Sequence, residues 1–175
     1  MLVICRYFWQ ICLFREGPEK IPKSVPIALT LLLIYLCVAL TATSLINPEQ
    51  TLSHAILAVG VGSGIEISFL FGLLIFKSVG TRFLSTLSAL LGSNTLFLIL
   101  LLPINLVLKQ IDPGIGNTFF QTLWMLSFFW WLMIVGFIFH RAANISLLQG
   151  TILAFIIELL AILAITQLQP SSSGT

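Results

Sequence analysis

The feature that most constrains this chain is where its charges are missing. Residues 24–48, 83–108 and 113–140 contain no Asp, Glu, Lys or Arg, and residues 50–76 and 142–168 contain one each, Glu66 and Glu158. A helix that crosses a hydrocarbon core roughly 30 Å thick needs about 20 mostly apolar residues. Each interval is long enough. Water cannot be the main solvent of such a surface: 58% of the 175 residues are hydrophobic and 8% charged, against roughly a quarter charged in a soluble domain. The fold class is therefore all-α, a polytopic membrane protein with five transmembrane helices.

The spans are bounded by charges and breakers. They run over residues 25–46, closed by Asn47-Pro48-Glu49; 54–76, closed by Lys77; 83–108, between Arg82 and Lys109; 119–139, after Asp112-Pro113-Gly114 and before His140-Arg141; and 145–168. Together, 25–168 form a five-helix transmembrane domain, and 169–175, ending in Pro-Ser-Ser-Ser-Gly-Thr, read as a disordered tail. Orientation follows from the Lys and Arg of the short loops. With the N-terminus in the cytoplasm, Arg6, Arg15, Lys20, Lys23, Lys77, Arg82 and Arg141 lie inside and Lys109 alone outside. The C-terminus is then outside. The basic residues are too few and too scattered for a nucleic-acid partner, so the lipid bilayer is the first partner.

Residues 1–24 form an N-terminal cytoplasmic segment. Met1 to Phe14 is apolar apart from Arg6 and Gln10, which lie one helical turn apart. That length is too short to span and fits an interfacial amphipathic helix, with Tyr7, Phe8 and Trp9 at headgroup depth. A cleaved signal peptide is the rival reading, against which Arg6 splits the apolar run. Pro18, Pro22 and Pro26 keep the connection extended.

Few motifs carry chemistry. Cys5, Cys12 and Cys37 do not form a disulfide framework or a metal site, and no cofactor is implied; Cys5 and Cys12 read as apolar interface residues rather than lipidation sites. Gly60-Val-Gly62-Ser-Gly64 resembles a phosphate loop only out of context, because it lies inside a span with no preceding strand. Gly60 and Gly64 are a small-xxx-small pair, and with Gly62 they form a smooth face for helix packing. Ser85, Ser88, Gly92 and Thr95 give the third span a similar face. Trp124, Trp130 and Trp131, with their neighbouring Phe residues, read as interface belts and lipid-facing bulk. His140 and Arg141 complement a helix C-terminus, Pro103 kinks the third span, and Asn94 and Asn105 are candidates for interhelical hydrogen bonds.

Glu66 and Glu158 stand apart. Both fall near the middle of their spans, where a charged carboxylate costs about 2.5–3.5 kcal/mol or more on insertion scales. Gly62, Ser63 and Glu66 share one helix face, as do Thr151, Ala154, Glu158 and Ala161, so both acids are expected to point into the bundle. Either each is a neutral acid hydrogen-bonded to a carbonyl or hydroxyl, or the two share a proton or cation site.

The stretch Gly80-Thr-Arg82-Phe83-Leu-Ser-Thr86-Leu-Ser-Ala89-Leu, running on to Leu102-Pro103, resembles the third-helix region of bacterial membrane proteins with a Ypt-interacting-protein (Yip) type domain. The aromatic-rich fourth span, the turn at His140-Arg141 and Gly150 opening the fifth are also similar, so the resemblance covers about residues 75–168. It implies five spans, a location in the bacterial cytoplasmic (inner) membrane, and no catalytic residues. The leading reading is a non-enzymatic Yip-like membrane protein acting through packing with itself or another membrane protein. The alternative is a small transporter or ion- or proton-conducting subunit using Glu66 and Glu158.

Overall fold

A computed structural model describes residues 2–111 and 114–168. The Asp112-Pro113 breaker and the tail expected at 169–175 lie outside the described residues. Among those described, six α-helices follow one another: α1 Leu2–Cys12, α2 Val25–Ile46, α3 Leu52–Phe76, α4 Phe83–Gln110, α5 Ile115–Ala143 and α6 Leu147–Leu168. Single 3-10 turns at Pro18–Lys20 and Gly80–Arg82 lead into α2 and α4, and no strand occurs among the described residues. Helices α2 to α6 are each long and apolar enough to cross a membrane.

Local chemistry sets the helix ends. Ser24 precedes α2 and Pro26 sits in its first turn, where a missing N–H costs nothing. The turn between α5 and α6 takes only three residues. Asn144 ends α5 in the left-handed region with φ 53°, which Asn tolerates better than most residues. The Ser146 N–H then donates to Gln149 Oε1 at 3.0 Å, and the Gln149 N–H donates to Ser146 Oγ at 3.1 Å. This reciprocal pair satisfies two orphan donors at the start of α6.

Helix α4 is the centre of the bundle. Every residue from Ser85 to Thr95 is buried, so all of its faces are covered there, by α1, α2, α3 and α5. That half of α4 is rich in Ser, Thr, Ala and Gly, and all of its hydroxyls except that of Ser93 turn back onto its own carbonyls: Ser85 Oγ and Thr86 Oγ1 donate to Arg82 O at 2.9 and 2.8 Å, and Ser88 Oγ donates to Leu84 O at 2.8 Å. Small, self-satisfied side chains let neighbouring backbones come close in lipid. Helices α5 and α6 meet still more tightly. A Cβ on Gly150 would lie 2.3 Å from the Gly136 carbonyl oxygen, and one on Gly136 would lie 2.7 Å from Thr151 backbone atoms. The outer faces of α2, α3 and α6 present exposed Leu33, Phe71, Ile75, Phe155 and Leu163, as a lipid-facing surface should.

Helix α1 docks on the bundle. Phe8, Ile11 and Cys12 are buried against α4 and α5, so its apolar stripe faces protein where the sequence suggests headgroups. Gly92 makes room for it: a Cβ there would lie 2.2 Å from the Phe8 ring. The Trp130 Nε1–H donates to the Cys12 carbonyl at 3.1 Å, and Phe14 meets Phe137 edge to face. Trp130 is therefore an inward anchor rather than part of a lipid belt.

Candidate functional site: an acidic cavity at mid-depth

Each of the five long helices sends at least one polar-tipped side chain into a single cavity of about 280 Å³. Tyr35 comes from α2, Glu66 from α3, Asn94 from α4, Trp131 from α5 and Glu158 from α6. All five lie near the middle of their helices. The space is enough for several waters, which need polar partners of this kind.

A donor chain orients the most enclosed acid. The Trp131 indole N–H donates to Asn94 Oδ1 at 3.0 Å. Indole nitrogen can only donate, so the amide oxygen must face Trp131 and the amide nitrogen must face the other way. Asn94 Nδ2 accordingly donates toward both Glu66 carboxylate oxygens, each at 3.1 Å. Asn105, by contrast, spends its amide on Leu101 O in its own helix at 3.1 Å. Glu66 thus has a side-chain amide partner, where the sequence suggested a carbonyl or hydroxyl. Glu158 has no hydrogen-bond partner among the described residues.

The cavity reaches Val135 and Ala154 toward one end of the bundle and extends further toward the other. Its further lining includes Ala58 and Val59 of α3, Leu98 and Leu101 of α4, Phe128 of α5, and Ile162 and Ile165 of α6. All of these are displaced from the acids toward the membrane face that carries Glu49 and Gln110. Toward the other face, Leu70, Leu74, Leu90, Ile134 and Ile138 are fully buried and packed.

The expected small and acidic faces separate into groups. Gly62, Ser63 and Glu66 line the cavity together with Ala154, Glu158 and Ala161, whereas Thr151 of the second face meets Gly136 instead. Ser85, Ser88 and Gly92 are buried packing residues of α4. Gly60 and Gly64 are exposed, with nothing within 4 Å of an added Cβ, so they point away from the bundle. Tyr35 and Trp131 were missed by sequence reasoning. Trp131 was assigned to lipid because an aromatic run such as Phe128-Phe129-Trp130-Trp131 does not say which ring turns inward. Among the described residues no group of three or more His, Cys, Asp or Glu is placed to hold a metal ion.

Comparison of the chain with protein-family models, with curated proteins and with solved structures finds no match.

Proposed function

We propose that this chain is a non-enzymatic multi-pass membrane protein that binds a proton or small cation at Glu66 and Glu158, as a small transporter or conducting subunit. One observation carries the reading: both intramembrane acids line one cavity with Tyr35, Asn94 and Trp131. Ionisable side chains are rare inside membranes and mark ion and proton paths where they face a shared cavity. The Trp131–Asn94 pair holds Glu66 in place, and Glu158 provides the second, less constrained carboxyl. The distribution of Lys and Arg supports a cytoplasmic N-terminus and an external C-terminus, and the Yip-type resemblance implies a bacterial inner membrane. In that orientation the cavity extends toward the outside. The test is proton or cation flux into liposomes containing the purified chain and a trapped pH- or cation-sensitive dye. Wild type is expected to conduct, and Glu66→Gln and Glu158→Gln to fold normally and lose flux. Wild-type flux equal to that of empty liposomes overturns the reading.

A second reading has its own support. Gly60 and Gly64 form an outward small-xxx-small face on α3, the type of surface on which two membrane helices associate. It fits a Yip-like protein that works by packing with itself or another membrane protein. Crosslinking between cysteines introduced at Gly64 in a Cys-free background tests it: disulfide-linked dimers in native membranes support association, and their absence argues against self-packing there.

A further inference from the structure

The geometry points to a second binding site, for a phosphate group, at the basic rim of the bundle, where the headgroup of an anionic phospholipid or a free phosphate would be held. An open recess of about 610 Å³ lies there, well away from the acidic cavity, and Lys23, Arg82, His140 and Arg141 line it with Glu19. Three of the chain's eight Lys and Arg residues therefore converge on one space. They come from three separate segments: the connector before α2, the residue that opens α4, and the last turn of α5.

The recess is organised around Arg82. Its Nη1 donates to the carbonyls of Arg141 and Ala142 at 3.5 and 3.2 Å and to Asn144 Oδ1 at 3.5 Å. These bonds fix the guanidinium over the end of α5 while using one nitrogen of a fork that carries five N–H donors. The remaining donors suit the paired oxygens of a phosphate. His140 is fixed in the same turn, its Nδ1–H donating to the Ile145 carbonyl. Arg82 and Arg141 mark the ends of apolar spans, which sets the recess at headgroup depth. Basic pockets between spanning helices at that level suit acidic lipid headgroups.

Glu19 supplies the independent clue. Its carboxylate makes an ion pair with Arg141, so the recess already holds an internal anion from the N-terminal connector. A phosphate entering the recess competes with that carboxylate for Arg141. Choline headgroups gain less, because their own ammonium group meets three cations. The space is also much larger than one phosphate, which favours a headgroup with its glycerol over the free ion.

Opposite signs from two kinds of variant test the site. The full chain is purified in detergent and retained lipid is read by native mass spectrometry with equal amounts of phosphatidylglycerol and phosphatidylcholine. Phosphatidylglycerol is expected to be retained preferentially. Lys23→Gln and Arg141→Gln should each lower its retention about fivefold, and Glu19→Gln should raise it. Lys77→Gln, which removes a cation outside the recess, should change nothing. Competition by millimolar inorganic phosphate assigns the site to free phosphate as well, and failure to compete assigns it to lipid. Equal retention of the two lipids overturns the proposal. So does a loss with Glu19→Gln that matches the loss with Lys23→Gln, or an equal loss with Lys77→Gln.

Discussion

The two halves of the bundle differ in how they are packed, although both are built from the same apolar residues. In the half nearer Arg82 and His140, α4 is buried on every face from Ser85 to Thr95, and Ile134, Val135, Ile138, Phe139, Ala142 and Ala143 of α5 are buried with it. In the half nearer Glu49 and Gln110, Phe119, Trp124, Met125 and Leu126 of α5 are exposed, and residues 101–108 of α4 are at most half-buried. Glycine and a sixth helix make the difference. Gly136 and Gly150 let α5 and α6 touch backbone to backbone, and Gly92 admits Phe8 of α1. The acidic cavity begins where this dense packing ends. One face of the membrane is thus sealed off from Glu66 by interlocked side chains, while the other is separated from it by a looser apolar lining. Under the proposed ion-binding reading, exchange of the bound proton or cation is expected through the looser end.

The largest expected effect comes from breaking the seal at its tightest point. Gly136→Val places side-chain atoms where Thr151 backbone already sits. Overpacking costs about 1–3 kcal/mol when flexible side chains can give way, and here the obstacle is backbone, so the variant should fail to yield monodisperse protein in detergent. Gly64→Val, outward on α3, should purify and melt like wild type. Size-exclusion profiles and melting curves of the two decide whether the dense half is as rigid as its contacts imply. A Gly136→Val protein that melts with wild type breaks the comparison.

How much of this was legible follows from what each signal costs in lipid. The five spans could be read because a charge inside a membrane is expensive, so the charge-free intervals had to be helices. The ends of α5 were less clear: it begins at Ile115 and continues to Ala143, beyond the 119–139 expected, because Asn117, Thr118 and His140 are tolerated in a helix near the membrane surface. Glu66 and Glu158 stood out for the same reason that the spans did. Tyr35 and Trp131 did not, since one aromatic in an apolar helix carries no signal of direction. The glycine faces show a different limit. Spacing placed Gly60 with Gly64, and Ser85 with Ser88 and Gly92, each on a helix face, but α4's face turned out to be buried and the Gly60–Gly64 face exposed. Spacing defines a face, and only the arrangement of the other helices decides what meets it. Gly136 carried no partner at small-residue spacing, so its backbone contact with Gly150 and Thr151 was silent in the sequence.

An intermediate effect is expected where the dense half meets the cavity. Trp131→Phe keeps an aromatic ring but removes the N–H that fixes Asn94. The loss of one such hydrogen bond is worth about 1 kcal/mol, so the melting temperature should fall modestly. Once unlatched, the Asn94 amide can turn its oxygen toward Glu66, and flux through reconstituted protein should fall without vanishing, in contrast to Glu66→Gln. Flux unchanged in Trp131→Phe would mean that Asn94 is held by its surroundings alone, and that the donor chain does not reach the acid.

The smallest expected signal is an absence of reaction at Cys12. Its thiol lies in the seam between α1, α4 and α5, and burial pushes its pKa up to about 11, with the neighbouring Ser93 hydroxyl acting in the opposite direction. The thiolate is the reactive form, so near pH 8 only about one thiol in a thousand is ionised, and maleimide must also reach it through packed side chains. In a Cys5→Ser, Cys37→Ser background, the folded protein in detergent should therefore stay unlabelled over a period that labels the same protein fully in denaturant. Raising the pH toward 10 should increase the ionised fraction about tenfold per unit, yet labelling should rise less steeply than that if access rather than ionisation controls the reaction. Rapid labelling at pH 8 would mean that α1 leaves the bundle readily. The dense half would then be a five-helix structure with a loosely attached sixth, and the Phe8–Gly92 contact would contribute little to the seal beneath the acids.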